Sequence, residues 1–550
     1  MATTSNQKQK AANAGVLVAL SLAMFVYVID TTIMGVSQSD LVTDLGTSIT
    51  GVQLALTVYT LTMAAFMTTG AKLGKIWGAK RAFKVGLVVY GIGTVTTALA
   101  PNLVVLPIGW SVLEGLGSAL IVPAINTLVR ANYDGDKRAA AYGTLGGVAA
   151  AGAAVGPIVG GWITSTFTWR VAFWIEAIIV VGVLLASNRI ADAEREGETP
   201  KLDIWGVALS AAGLGLFVYG ILQTGTLGWG SPVVWGLMIV GAAVTWWFVQ
   251  RSRRQEREGG DPLLRFSIFR WPVISAGVPV TIAQNFAQNG ILYVVPVFAQ
   301  LVLGLDALKT GLAILPLSIG VMGMSMGTVK LGHKIYPRVI IQIGMLVVFA
   351  GGVLLAIAIP DADSGNDLII SMFVLGAGIG LIAAQLQNVM LGGVDPDETS
   401  EAAGLAGTAQ NLGMSLGTAV AGSVLLVTLS AAFTTGVDDS TVLADEDKAG
   451  IEQILEDNTE TMGTEFETLL ADRPPEVAEE TERIAKEASD AAFQVAILAL
   501  GVIALLGFLF AFKLPKVKLG GDVIGEAVRG TAVIPKLQLE PGGELTKPGL

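Results

Sequence analysis

The sequence has no cysteine, which excludes disulfides, thiol nucleophiles and cysteine-ligated metals. Its single histidine, His333, excludes histidine metal sites and Ser-His-Asp hydrolysis. No G-x-x-x-x-G-K-[ST] stretch is present, so no ATP engine of that kind is carried. Charge is also scarce. Lys, Arg, Asp and Glu make up 14% of the 550 residues, against roughly 25% in ordinary soluble domains. A chain so poor in charge is not built for water.

What fills it is apolar: 52% hydrophobic residues and a mean hydropathy of +0.65, with 68 glycines. Fourteen runs read as membrane helices, near 15–37, 50–70, 82–100, 103–129, 139–163, 168–188, 204–224, 231–250, 272–302, 309–329, 338–359, 367–393, 400–432 and 488–512. Each is long enough to cross a hydrocarbon core of roughly 30 Å, and the longer ones are expected to tilt or protrude. Glycine lets such helices approach closely. The first run is too long, and lacks a small-residue cleavage site, for a removable signal peptide. The sequence therefore predicts an all-α polytopic membrane protein with an even number of spans.

Charge sets the expected orientation. With the N-terminus inside, only six of the 34 Lys and Arg residues fall outside: Arg170, Lys309, Lys448, Arg473, Arg483 and Lys486. That asymmetry predicts both termini in the cytoplasm. The formal net charge of −11 misleads as an average, because 18 acidic and 4 basic residues lie between Asp438 and Asp490. This external stretch reads as short amphipathic helices broken at Pro474-Pro475. It is either a solvated, charge-protected loop or a vestibule that concentrates cations.

The chain also repeats itself. "AKLGKIWGAKR" (Ala71–Arg81) and "VKLGHKIYPR" (Val329–Arg338) share Lys-Leu-Gly at an offset of 258 residues. Four parts follow: an N-terminal half over 1–190, two inserted helices over 191–270, a C-terminal half over 271–515 with the acidic loop 433–487, and a cytoplasmic tail over 516–550. Two six-helix halves around a central site is a transporter layout. The same offset places Gln288 of span nine opposite Asp30 of span one.

Ionisable groups inside such spans are functional candidates by default. Asp30, Glu114 and Glu176 are the clearest. A carboxyl in low dielectric holds a proton more readily than one in water, which suits exchange of a proton for a cation. The competing readings are a hydrogen-bonded packing role for Asp30 and an ion pair with Arg170 for Glu176. Glu114 lies four residues after Trp110, on one helix face. Span nine carries an amide stripe of Gln284, Asn285, Gln288 and Asn289, and Gln387, Asn388, Gln410 and Asn411 add amides in spans twelve and thirteen. Such groups line a wet cavity or join helices as glue. Tyr59, Trp110 and Tyr293 either offer aromatic faces to a lipophilic cation or serve as packing.

Five stretches carry a resemblance to a known family: "LAMFVYVIDTTIMGV" (Leu22–Val36), "VQLALTVYTLTMAA" (Val52–Ala65), "GAKLGKIWGAKRAF" (Gly70–Phe83), "GAAVGPIVGGWITSTFTWRVAFWI" (Gly152–Ile175) and "EAAGLAGTAQNLGMSLGTAVAGSV" (Glu401–Val424). In matching order over residues 12–515, they resemble the fourteen-helix drug:proton antiporters of the major facilitator superfamily. The resemblance implies the major facilitator fold, two six-helix halves plus two extra central helices. It places a cytoplasmic gate loop at Lys72, Gly74, Lys75, Gly78, Lys80 and Arg81. It also makes Gly152, Gly156, Pro157, Gly160 and Gly161 the motif that marks exporters. Physically, glycines at four-residue spacing flatten a helix face, and proline permits a kink.

Three positions depart from the family pattern. Lys75, and His333 in the repeat, stand where the signature loop carries an acid. Ser111 and Glu114 stand where the fourth span usually carries arginine and glutamine. Glu176 replaces an asparagine near the start of span six. The implied function is proton-coupled export of amphipathic, cationic compounds by a monomer in a prokaryotic cell membrane. No enzyme activity, cofactor, metal or nucleic acid is expected; the partners are a small-molecule substrate, protons and bilayer lipid. The alternatives are a dedicated exporter of one metabolite, peptide or lipid-like compound, and a non-transporting receptor or scaffold.

Overall fold

The computed structural model describes residues 2–133, 135–192, 200–331, 335–395, 398–444, 448 and 474–516, and it is nearly all helix. The helices are α1 (Ala2–Val36), α2 (Gln38–Leu45), α3 (Ile49–Trp77), α4 (Ala79–Ala98), a π-helical turn (Pro107–Glu114) continuing into α5 (Gly115–Asn132), α6 (Gly135–Thr166) and α7 (Trp169–Ala186). They continue as α8 (Ile204–Leu222), α9 (Thr224–Leu227), α10 (Pro232–Arg257), α11 (Pro272–Leu301), α12 (Ala307–Leu331), α13 (Pro337–Ala358), α14 (Ile369–Gly392) and α15 (Thr399–Asp439). The last, α16, covers Pro475–Ala511.

Two sets of six long helices pack in one pattern. In the first, α1 packs on α6 and α7, α5 on α3 and α4, and α4 on α7. In the second, α11 packs on α15 and α16, α14 on α12 and α13, and α13 on α16. Replacing each helix of the first set by its counterpart in the second reproduces every pair. The sets meet along two seams, α3 with α15 and α6 with α12, and these exchange under the same replacement. The hairpin α8–α10 leans on α3 and α15 from outside.

Twelve of the described helical stretches are long and apolar enough to cross a membrane by themselves. The other two long helices are α4, which opens on Lys80, Arg81 and Lys84, and α11, which carries the amide stripe. Most of α11 is enclosed by its neighbours, whereas α4 buries one face and leaves Val88 and Ile92 exposed on the other. At 41 residues, α15 is about 61 Å long, roughly twice the hydrocarbon thickness. Its end pairs with the start of α16 through Phe433, Val437, Val477, Ile484 and Ala488, so the beginning and end of the acidic stretch are helical. Residues 449–473 of that stretch, His333, and 517–550 of the tail lie outside the described residues.

The α6–α12 seam is tightest at one end. A Cβ at Gly161 would run into the Ala307 carbonyl, and one at Gly311 into that of Pro157. Nearer the middle, the Ser318 hydroxyl donates to Ala153 O at 3.2 Å. Toward the basic end of the bundle, Gly143, Gly146 and Gly147 on α6 have nothing within 4 Å of a Cβ. The tight end is completed by Gln300 of α11, whose Nε2 donates to Val36 O and whose Oε1 accepts from Ser39 N.

A carboxyl triad between the helices of the N-terminal set

Asp30 sits in the last two turns of α1 and is fully buried. Its helix is held by the motif glycines of α6: Gly152 lies against Phe25 and Val28, Gly156 against Ile29 and Thr32, and Gly160 against Ile33. That four-residue spacing seats α1 in a groove, while Gly161 faces α12 instead. One motif thus fixes the helix that carries Asp30 and closes the seam between the sets.

The opposite wall is the π-helical turn. Gly109 and Gly93 abut each other's helices so closely that a Cβ on either would meet backbone at 2.7 Å. This brings Thr97 of α4 to Glu114, Oγ1 to Oε1 2.9 Å. The wide turn, a local geometry common at functional sites, presents Trp110 and Glu114 inward; both have no exposed surface. Trp110 Nε1 donates to Asp30 Oδ1 at 2.9 Å, and its ring stacks on Tyr59 with centroids 4.9 Å apart. From α7, Glu176 comes within the same cluster, with Tyr90 OH donating to its Oε2 at 3.4 Å.

One oxygen from each of Asp30, Glu114 and Glu176 lies within 4.8 Å of the others. Asp30 Oδ2, Glu114 Oε2 and the Tyr59 hydroxyl are buried with no hydrogen-bond partner among the described residues. The charges acting on Glu114 and Glu176 are other carboxyls of the cluster, and no Lys, Arg or His is among the groups acting on any of the three. Thr97 Oγ1 is also 2.9 Å from Gly93 O. A hydroxyl has one hydrogen, so when Gly93 receives it, the Glu114 carboxyl must carry the proton of the second bond.

The Arg170 pairing weighed for Glu176 does not form. Arg170 pairs with Asp44, donates to Ala100 O at 2.7 Å and covers the Trp169 ring at 4.4 Å. It sits in the first turn of α7 beside the loops, whereas Glu176 is two turns deeper. Ser111, in place of the family arginine, donates to Ala55 O at 2.7 Å, so no cation replaces the missing one here.

The residues expected to line a cavity divide. Tyr59 and Trp110 are sealed inside the N-terminal set, because stacking and the bond to Asp30 turn them away from any opening. Asn289 donates to Thr418 Oγ1 at 2.7 Å and to Met414 O at 3.2 Å, joining α11 to α15 as glue. Asn285 donates to Thr281 O of its own helix at 2.8 Å. Gln288, placed opposite Asp30 by the repeat, accepts from Gln284 Nε2 at 3.3 Å instead. Tyr293 is buried, and Gln387, Asn388 and Gln410 are exposed. Asn411 is buried and approaches Tyr27 of α1 across the two sets. Sequence reasoning missed Tyr27, Tyr90, Thr97 and Gln53. Gln53 donates to Thr418 O at 3.0 Å and Ala419 O at 3.2 Å across the α3–α15 seam.

The basic loop is fastened on both sides. Lys72 Nζ donates to Asp261 O and Pro262 O, each at 2.7 Å. Lys80 donates through its backbone to Asp192 Oδ1 at 2.9 Å and through Nζ to Asn188 O at 3.0 Å. Gly78 has φ +93, a turn that lets α4 start directly after α3. Gly74 has open space around it, and Lys75 and Arg81 are exposed. Nearby, Asp203 caps α8 through Gly206 N at 2.9 Å and receives Arg251 at 2.6 Å. Burial alone would push its carboxyl up, but Arg251 and the Gly206 N–H hold it below the usual carboxylate range.

The Major Facilitator Superfamily model matches residues 20–203 and 203–418. Over 519 residues the chain is 30% identical to a "Probable actinorhodin transporter" of Streptomyces coelicolor, covering 88% of this chain and 89% of that one. It is 26% identical over 419 residues to "Multidrug resistance protein Stp" of Mycobacterium tuberculosis, 76% of each chain. Among solved structures, a bacterial homolog of the human lysosomal transporter Spinster, crystallised inward-facing and unoccupied, aligns with a TM-score of 0.58 at 14% identity. That alignment covers 92% of this chain and 98% of that one. The paired helix sets and these matches lead to one conclusion: the chain belongs to the Major Facilitator Superfamily of membrane transporters and is not an enzyme.

Proposed function

We propose that the chain is a proton-coupled exporter of amphipathic, cationic drugs or toxic compounds, working by alternating access. The observation that carries this reading is the carboxyl triad. Three carboxyls this close, with no base beside them among the described residues, cannot all be charged. Protons held there are available for exchange against a cation. The two helix sets rock about the α3–α15 and α6–α12 seams, and the chain crosses the membrane fourteen times with both termini in the cytoplasm. The basic end then faces the cytoplasm, so the conformation described here is open inward. The multidrug resistance relative supports the substrate class. One chain suffices for the cycle.

The test is ethidium uptake into inside-out vesicles energised by a proton gradient, with expression matched. Gradient-dependent uptake that is lost in Asp30→Asn or Glu114→Gln supports the reading. Uptake unchanged in both folded variants makes the carboxyls structural and removes it.

A second reading, a dedicated exporter of one metabolite, is favoured by Ser111 and Glu114 in place of the usual arginine and glutamine. The likeness to an actinorhodin transporter points the same way. A susceptibility panel narrowed to a single compound class selects it.

A further inference from the structure

We propose that Asp30, Glu114 and Glu176 form a binding site for one hard divalent metal cation of calcium's size. The proposal rests on the reading of this triad as the transporter's ion-binding element, and adds a ligand to it. Three oxygens within 4.8 Å of one another share a centre about 2.8 Å or less from each, and calcium takes oxygen ligands at about 2.3–2.6 Å.

The surroundings are those of a ligand set. Each carboxyl has one oxygen met by a donor from another helix: Trp110 Nε1 on Asp30, Thr97 on Glu114, and Tyr90 on Glu176. Outer hydrogen bonds of this kind orient metal-binding carboxylates. The second oxygens of Asp30 and Glu114 are left buried and unpartnered. An independent group points the same way. The Tyr59 hydroxyl, on α3, is 1% exposed, has no partner at hydrogen-bond distance among the described residues, and has Asp30, Glu114 and Ser118 as its polar neighbours.

The donor chemistry and the charge select the class. Every donor atom is oxygen, the choice of hard cations rather than of metals that favour imidazole or thiolate. Magnesium suits the site poorly, because it keeps its waters and demands ligands at about 2.0–2.1 Å. Glu114 Oε2 and Asp30 Oδ2, both unpartnered, together with the Glu176 carboxyl make an anionic pocket that a divalent cation neutralises. A bound cation also occupies the oxygens that protons need, so it inhibits proton-driven transport.

The experiment is equilibrium binding of radioactive calcium to the purified full chain in nanodiscs, after chelator treatment. One saturable site per chain is expected, weakened at least about tenfold in both Asp30→Asn and Glu176→Gln. Terbium bound beside Trp110 reports the same site through sensitised emission, which Asp30→Asn and Glu176→Gln lower together with calcium binding. Either variant that keeps its wild-type size-exclusion profile suffices for the comparison. No saturable site in the wild type overturns the proposal. So does calcium binding unchanged in the variants, which assigns it to the acidic stretch 438–490. Proton-driven ethidium uptake that persists in chelator without any calcium site sinks this proposal alone. Calcium binding at the triad without proton-driven uptake sinks the exporter reading alone.

Discussion

Trp110 Nε1 lies 2.9 Å from Asp30 Oδ1, a bond between the π-helical turn and α1 with no water-exposed surface on either residue. The indole can only donate. It therefore anchors one oxygen of Asp30 as an acceptor and leaves the other free to exchange.

Trp110→Phe keeps the stacking on Tyr59 but strips Asp30 of that donor. An acceptor left unsatisfied in a buried site costs about 1–3 kcal/mol. A severalfold loss of gradient-driven uptake is expected at matched expression, and Trp110→Leu, which also loses the stacking, falls further.

An inward-open conformation predicts that the α6–α12 seam is accessible to water from the basic side. The chain has no cysteine of its own, so single replacements report directly. Gly143→Cys and Gly147→Cys, where a Cβ meets nothing, react rapidly with a hydrophilic maleimide. Ser318→Cys, buried against Ala153, reacts severalfold more slowly. Equal rates at all three would refute the inward-open conformation.

Gly161→Val blocks closure at the other end, since even a Cβ there meets the Ala307 backbone. Reaction at a cysteine placed at Ser165, in the exposed last turn of α6, should rise in this background, and uptake should fall to background. Normal uptake by Gly161→Val would contradict the role given to this contact.

Asp203 links α8 to α10 through Arg251. Its carboxyl is depressed in the folded chain, so the stabilisation is complete above the unfolded value of about 3.9 and is lost as pH falls through the folded value. Asp203→Asn keeps the helix cap and removes the charge. It should melt below the wild type at pH 7 and converge with it below about pH 4. A constant difference across that range would show that the charge is not the cause.

Lys72 ties α3 to the segment after α10 through two carbonyls. Lys72→Met removes both bonds, and trypsin should then cut severalfold faster after Arg257 and Arg265. Unchanged cutting would mean that Arg251 and Glu401 hold the segment without it.

The two-set architecture was legible because span length, lysine and arginine placement, and the Lys-Leu-Gly repeat all act over long stretches of chain. The three carboxyls were legible singly, since an acid in an apolar run is conspicuous. Their convergence was not: each stands on a different helix, and only the packing of Gly93 on Gly109 and of α6 on α1 brings them together. Tyr90 and Thr97 were missed because each is an ordinary residue on an apolar helix, given its role by what lies across from it. The amide stripe of α11 was read by its four-residue spacing. Spacing identifies a shared face without saying what that face meets, and for Asn289 it meets the backbone of α15.

The central claim is that the triad surrenders protons when a cationic substrate binds. The most direct test adds ethidium to purified protein in weak buffer near neutral pH and follows proton release alongside binding. The account predicts at least one proton released per ethidium bound, and none in the Asp30→Asn, Glu114→Gln, Glu176→Gln triple variant. Tight ethidium binding by the wild type without any proton release would contradict it.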